Sequence, residues 1–350
     1  MGTEKMFRAG SINGLQVRNR IIRSATNDHL GNPDGTVSDE EIDMYATLAR
    51  NEIGTIITGH MSVSPDLGYR ADEMQLCIGD DRFVSGLSRI ASKIHEYGAV
   101  AIAQLSHAGP RGLHPIDFND LSTEDMRRLR DWFIDGAVRA KKAGFDGVQI
   151  HIAHWYLLQA VVNIDINHRD DCYGGSPEND IRLPQEIVSG VREACGKDFI
   201  IMVKLNAHNT EAAVDDYELL ASYCRALTDA GTNLIEISGA DIARKKLTDR
   251  LYYLEAVKYV KDRYPDMVLS LVGGISSRET IEEVLEVSDF ASLSRALLTQ
   301  PDFIIRLHRG ETESSRCLHC NKCFEIFQTK YERCVFGPVI PKLEQEFAHN

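Results

Sequence analysis

The stretch GFDGVQIHIAHWYLLQ (Gly144–Gln159) reads as a buried strand that ends in two histidines and a tyrosine. Val148-Gln149-Ile150 is an apolar, β-branched run interrupted by one amide, and His151, His154 and Tyr156 follow it directly. Working outward, similar short runs recur at even spacing. They are IIRSAT (21–26), TIITGHMSV (55–63), VAIAQLSH (100–107), GVQIHIAH (147–154), FIIMVKLNA (199–207), LIEISGA (234–240), VLSLVGG (268–274) and FASLSRA (290–296). The segments between them carry helical periodicity. EEIDMYATLARNEIG (40–54) and EDMRRLRDWFIDGAVRAKKAG (124–144) are the clearest, each closing on a glycine placed for a left-handed cap. Buried strands alternating with helices in this number predict an α/β fold, the (β/α)8 TIM barrel. A doubly wound open sheet is the competing arrangement, but no G-x-G-x-x-G follows the first run.

The chain has 350 residues and 43% hydrophobic content, enough for one large core with an appendage. Residues 1–306 read as the barrel. The polar, non-periodic, Cys-rich segment 307–350 reads as an appendage packed on it. A net charge of −13 without any Lys/Arg-dense block argues against nucleic acid and against an anionic membrane surface. The start, MGTEKMFRAG, carries no apolar leader, and no run approaches membrane-spanning length. A soluble, cytoplasmic protein is expected.

In a barrel of this kind the active site forms where the strands end. Polar residues that look misplaced in apolar runs should therefore sit at those ends, and they do. The runs finish in Thr26-Asn27, Gln104 and His107, His151 with His154 and Tyr156, Lys204 and Asn206, Gly273-Gly274, and Ser294-Arg295. Gly273-Gly274 and Ser294-Arg295 follow the seventh and eighth runs, where loops commonly hold a phosphate through glycine amides and a cation. His151 and His154 suit zinc ligation, a satisfied core role, or two neutral imidazoles donating toward a developing oxyanion. Residues three apart on a strand face opposite ways, so one of the two must lie beyond the strand. Tyr156 suits proton donation to a carbon base. Lys204 suits either a Schiff base or a fixed charge beside an electron-accepting ring.

Cys317, Cys320, Cys323 and Cys334 are half of the eight cysteines and crowd into C-x2-C-x2-C-x10-C. Such clustering, with no secretion signal, points to metal or cluster ligation. Three close thiolates with a distant fourth suit [4Fe–4S], with a four-thiolate zinc site as the rival.

With these residues in view, residues 6–340 resemble the Old Yellow Enzyme family of FMN-dependent ene-reductases. The resemblance rests on His151-x-x-His154-x-Tyr156, on Asn167-His168-Arg169-Asp170-Asp171-Cys172-Tyr173-Gly174-Gly175-Ser176 with Glu178-Asn179, on Asn19-Arg20, on Gln104-Leu-Ser-His107-Ala-Gly109 and on Val272-Gly273-Gly274-Ile275. It implies FMN at the strand ends. Ala25, Thr26 and Asn27 would border the isoalloxazine, Gln104 its pyrimidine edge, and His60 would lie near the ring. Lys204 would stand beside N1 and O2, and Gly273, Gly274, Ser294 and Arg295 would bind the phosphate. His151 and His154 would hold the substrate carbonyl of an enone or enoate, Tyr156 would protonate Cα, and flavin N5 would deliver hydride to Cβ. The cysteine tail is similar to the dienoyl-CoA reductase and trimethylamine dehydrogenase branch. Electrons would come from NAD(P)H or an electron-donor protein, and a homo-oligomer is expected.

Three departures stand out. The segment GPRGLHPIDFNDLSTED (109–125) is short for the family, which implies an open substrate pocket. Asn27 stands where Cys or Thr is common, and Ser294 where Gly is common. Two other readings of the chemistry stay open: flavin-dependent amine dehydrogenation or N-demethylation, and a non-redox barrel acting as a metal-dependent hydrolase or Schiff-base lyase. A flavin module that only relays electrons is a third.

Overall fold

The computed structural model describes residues 4–208, 216–241, 245, 248–323 and 334. The parts of the appendage at 324–333 and 335–350 lie outside the described residues. The chain opens with a hairpin, β1 (Gly10–Ile12) and β2 (Leu15–Val17), paired antiparallel. Its turn is Asn13-Gly14 with φ of 50° and 82°, the left-handed pair that two-residue hairpins require.

Each of the apolar runs then forms one strand. They are β3 (Ile21–Arg23), β4 (Thr55–Ser62), β5 (Val100–Ser106), β6 (Gly147–Ile152), β7 (Ile200–Asn206), β8 (Leu234–Ser238), β9 (Leu269–Val272) and β10 (Phe290–Leu293). Neighbours pair in parallel, and the sheet closes in the order β10-β3-β4-β5-β6-β7-β8-β9. The structure is a (β/α)8 barrel. The first strand is shorter than expected, ending at Arg23, so 24–27 continue as loop.

Alternation along each strand divides the side chains between two surfaces. Ile201, Val203 and Leu205 of β7 join the large outer core beneath the helices. Ile200 and Met202 face the barrel axis, with Ile22, Ile57, Val100, Ile102, Leu234 and Phe290. Ile12 and Val17 of the hairpin join this inner cluster and seal one end. Continued two residues at a time, the inner faces turn polar: Gln104, Gln149 and His151, Lys204, Glu236 and Ser238, Ser292 and Ser294. The apolar layers are thus a floor, and the polar layers above it are the site.

Helix starts obey local chemistry. Ser38 caps Asp39–Arg50 by accepting from the Glu41 amide at 3.0 Å, and Ser122 with Asp125 forms a capping box on Thr123–Lys142. Gly144 follows the latter helix with φ 92°, as expected. Gly54 does not cap the former. There the left-handed residue is Glu52, φ 66°, whose carbonyl accepts from Asn19 Nδ2 at 2.6 Å. Gly54 is glycine for space, since a Cβ would overlap the Asn19 amide oxygen. No helix among the described residues is long and apolar enough to cross a membrane.

Candidate active site

A cavity of about 550 Å³ opens at the strand ends. Its lining includes Ala25, Thr26, Asn27, His60, Gln104, His151, His154, Tyr156, Lys204, Gly273, Gly274, Ser294 and Arg295. Every candidate catalytic and cofactor residue is therefore brought to one place.

The turn after β6 accounts for the opening motif. His151 lies on the strand and faces inward, while His154 and Trp155 both adopt left-handed backbone, φ 63° and 66°. Two consecutive non-glycine residues there store about 1–3 kcal/mol of strain each. The turn is held by Arg111 Nη1 donating to the His154 carbonyl at 3.2 Å and by the Leu157 amide donating to the His107 carbonyl at 3.1 Å. Reversal of the chain brings the His154 ring within 5.1 Å of His151, with His154 Nε2 at 2.9 Å from Ser238 Oγ. Tyr156 packs its ring against His151 at 5.3 Å and His60 at 4.8 Å. Burial pushes His151 and His154 well below the ordinary imidazole range, and Lys204 adds to this. Both are neutral at pH 7, so they act as hydrogen-bonding groups. Burial likewise pushes His60 down to about 4, with His29 and Lys204 assisting and Asp72 opposing.

Lys204 is buried. Its Nζ donates to Ser24 Oγ at 2.8 Å and pairs with Glu236 Oε2 at 3.3 Å. Burial lowers its pKa and Glu236 opposes that shift. Glu236 also accepts from Gln149 Nε2 at 3.0 Å, which forces Gln149 Oε1 to accept from Gln104 Nε2 at 2.7 Å. One carboxylate thus orients both amides and leaves Gln104 Oε1 as its remaining acceptor.

At the other end of the cavity, Gly273 and Gly274 have φ of 137° and 70°. A Cβ on Gly273 would press on the Tyr252 and Tyr253 rings at 3.1 Å, so glycine keeps this wall bare backbone. Thr26 Oγ1 donates to the Ser24 carbonyl and meets Ser294 Oγ at 2.8 Å. Arg295 donates to the Tyr252 hydroxyl at 3.3 Å and to Asn321 Oδ1. Asn27 Nδ2 donates to Asp72 Oδ2 at 2.9 Å.

The buried, unpartnered polar atoms around the cavity include His60 Nε2, His151 Nδ1, Ser292 Oγ and Glu236 Oε1. Bare glycines, an arginine, a buried lysine and unpaired ring nitrogens in one cavity fit an anionic, hydrogen-bonding cofactor such as FMN. Gly273, Gly274, Ser294 and Arg295 would hold its phosphate, and Ala25, Thr26, Asn27, Gln104 and Lys204 its ring.

The longest sequence signature serves the scaffold. Asn167 Nδ2 donates to the carbonyls of Val161 and Tyr173 at 2.8 and 2.7 Å and to Asp180 at 3.0 Å. Arg169 clamps Asp171 through two bonds and reaches the Leu121 carbonyl at 2.7 Å. His107 is structural too. It accepts from the Gly109 amide at 3.1 Å and lies 6.0 Å from the Trp132 ring, and burial pushes it to about 4. Its depressed folded-state pKa means that the unfolded chain binds the extra proton between pH 6.5 and 4, so its contribution is lost as pH falls through that window. Relative to His107→Gln, the wild type is expected to lose about 1.4 kcal/mol per pH unit there. Urea unfolding at pH 7, 6 and 5 measures it, and parallel curves would refute it.

Of the cysteines, Cys323 is buried and Cys317, Cys320 and Cys334 are half-buried, all without disulfides. Burial raises the Cys317 pKa, with Cys334 adding to it and Arg295 opposing. Among the described residues no three Cys, His, Asp or Glu side chains are gathered closely enough to cage an ion. The segment between them does reach the cavity, through His319 in its lining and Asn321 on Arg295.

Comparison with known proteins bears on this arrangement. The NADH:flavin oxidoreductase / NADH oxidase family matches residues 5–117 and 114–313. The chain is 30% identical over 368 residues to an NADH oxidase of Thermoanaerobacter brockii, across 95% of this chain and 56% of that protein. It is 29% identical over 320 residues to an NADPH dehydrogenase of Bacillus licheniformis, across 86% and 93%. It therefore spans about half the length of the first relative and most of the second. Among solved structures, a 2-naphthoyl-CoA reductase bound to 2-naphthoyl-CoA aligns with TM-score 0.88 at 20% identity, across 96% and 57% of the two chains. The old yellow enzyme homologue of Zymomonas mobilis aligns with TM-score 0.77 at 23% identity, across 95% and 97%. These two likenesses carry the fold. With the family match running through the whole barrel, the chain belongs to the Old Yellow Enzyme family of NADH:flavin oxidoreductases.

Proposed function

We propose that this chain is an FMN-dependent oxidoreductase that reduces the activated C=C bond of an α,β-unsaturated carbonyl compound. The observation that carries it is the meeting, in one cavity, of neutral imidazoles and Tyr156 with the buried Lys204 and the Gly273-Gly274/Arg295 wall. FMN, when bound, would supply hydride for the substrate's Cβ. The chain's own residues do the rest. His151 and His154, uncharged, donate hydrogen bonds to the carbonyl oxygen and stabilise the negative charge that develops on it. Tyr156, from its hydroxyl, delivers the proton that Cα needs. Lys204 holds a positive charge at the cofactor's ring. NAD(P)H as electron source is supported by the NADH oxidase and NADPH dehydrogenase among the relatives.

Cys317, Cys320, Cys323 and Cys334 are proposed as ligands of a [4Fe–4S] cluster on an appendage beginning near residue 307. Their spacing in the sequence supports this, the thiols having to draw together around the group since they form no cage among the described residues, and zinc is the competing occupant. Visible absorption of anaerobically purified protein, with iron and zinc assayed on the same sample, tests both groups. The expected result is flavin bands over an iron–sulfur background, with about four irons per chain. Zinc without iron would overturn the cluster alone. A colourless protein that takes up no added FMN would overturn the whole reading.

A further inference from the structure

His60 enters the cavity because β4 bulges. Between Ile57 and His60 that strand advances three residues while β5 advances two, from Ile102 to Gln104. Gly59 sits in the bulge, and its amide donates to the Tyr45 hydroxyl at 2.7 Å, which donates to Asp28 at 3.2 Å. A Cβ on Gly59 would press on the Thr26 carbonyl at 3.1 Å and the Asp28 carboxylate at 3.2 Å. Without the bulge, alternation would point Gly59 inward and His60 out.

The proton on His60 is also placed. Gln75 Oε1 accepts from the Ala71 amide at 2.6 Å, which fixes the orientation of its side chain. Its Nε2 must then donate, and it does so to His60 Nδ1 at 2.9 Å and to the His60 carbonyl at 3.0 Å. An imidazole that accepts at Nδ1 carries its hydrogen on Nε2. That Nε2 is buried and unpartnered, as is His151 Nδ1, and the two rings lie 5.9 Å apart with Tyr156 packed on both. His154, by contrast, already has Ser238 at its Nε2.

We infer that His60 is a third substrate-binding imidazole, and that the site is built for α,β-unsaturated carboxylates in preference to simple enones. This rests on the function proposed above. A ketone offers one oxygen, which His151 and His154 occupy. A carboxylate offers a second oxygen with its own lone pairs, and His60 Nε2–H takes it. A ketone in the same site would leave that buried donor unmatched, at a cost of about ten-fold or more in binding. Lys204 acts electrostatically on His151 and His154 in the sense that disfavours a positive charge there, which favours an anion beside them, whereas at His60 Asp72 acts in the opposite sense and Lys204 is the smaller effect. Gln75 is a positioning residue.

The test compares trans-cinnamate with its methyl ketone analogue on FMN-loaded wild type, His60→Phe and Gln75→Leu. Phenylalanine keeps the packing against Tyr156 and His151 and removes the N–H. Cinnamate kcat/KM is expected to fall about ten-fold or more in His60→Phe, chiefly through KM, while the ketone, relieved of the unmatched donor, gains by up to a comparable factor. Gln75→Leu should shift selectivity the same way by less, with flavin absorption unchanged. Equal losses on both substrates overturn the inference. So does an altered flavin spectrum with unaltered selectivity, which would assign His60 to the cofactor. Should the wild type turn over neither compound, the proposed reaction fails. The cinnamate Kd, read by calorimetry, then decides His60 separately, and an unchanged value in His60→Phe overturns its role.

Discussion

Tyr156→Phe is expected to lower kcat for C=C reduction by about 10²–10⁴-fold, the range for removing a positioned proton donor. Reduction of the flavin by nicotinamide should continue. The reasoning is geometric. Tyr156 follows the left-handed pair His154-Trp155 and starts the helix Leu157–Val161, so its backbone is fixed from both sides. Its ring packs on His60 and His151, and phenylalanine reproduces those contacts. What disappears is the hydroxyl. Separate measurement of the two half-reactions locates the loss. Full turnover by Tyr156→Phe would remove this tyrosine from the chemistry, and a loss in the nicotinamide half-reaction alone would give it a different role.

The second large effect concerns Lys204 and Glu236. Each is buried on the barrel axis, and the two form an ion pair at 3.3 Å that gives each charge its partner. Replacing one leaves an uncompensated buried charge. Lys204→Met and Glu236→Leu are each expected to cost about 3–5 kcal/mol in unfolding free energy, and both should weaken FMN binding. Replacing the two together removes both charges, so the double variant should be more stable than either single one. The polar layer explains why Glu236→Leu is worse than a surface change. Gln149 and Gln104 lose the acceptor that orients them. Urea unfolding of the four proteins closes the cycle. Losses that simply add would mean the two charges are independently solvated, contrary to their burial.

The barrel was legible because strands covered on both faces are near-continuous apolar runs, and GVQIHIAH and FIIMVKLNA stand clear of their polar flanks. Ser38 and Ser122 carried a capping signal for the helix starts that went unread beside the closing glycines. Gly54 misled, because a glycine kept for room beside Asn19 looks the same in sequence as one kept for its φ. Asn13-Gly14 carried a hairpin signal between short alternating segments that the longer runs overshadowed. In the site, residues at strand ends could be read because the barrel fixes where they must go. Glu236, a carboxylate inside LIEIS, carried the same signal as Lys204 and pairs with it. Ser238, closing LIEIS, carried the strand-end signal as well. Gln75, His319 and Asn321 gave none. They reach the site through a loop and a tail whose approach depends on tertiary packing, and no local period encodes that. The Asn167–Asn179 signature shows the converse. It is the most distinctive stretch, and its hydrogen bonds hold a loop.

The central claim is that this cavity reduces activated double bonds with electrons held on FMN. The most direct measurement mixes FMN-loaded protein, reduced beforehand without oxygen, with excess trans-cinnamate or its methyl ketone analogue in a stopped-flow spectrometer. The expected result is return of oxidised flavin absorption in a single turnover, with one saturated product formed per flavin. Flavin that stays reduced with both compounds, while oxygen reoxidises it readily, would contradict the claim.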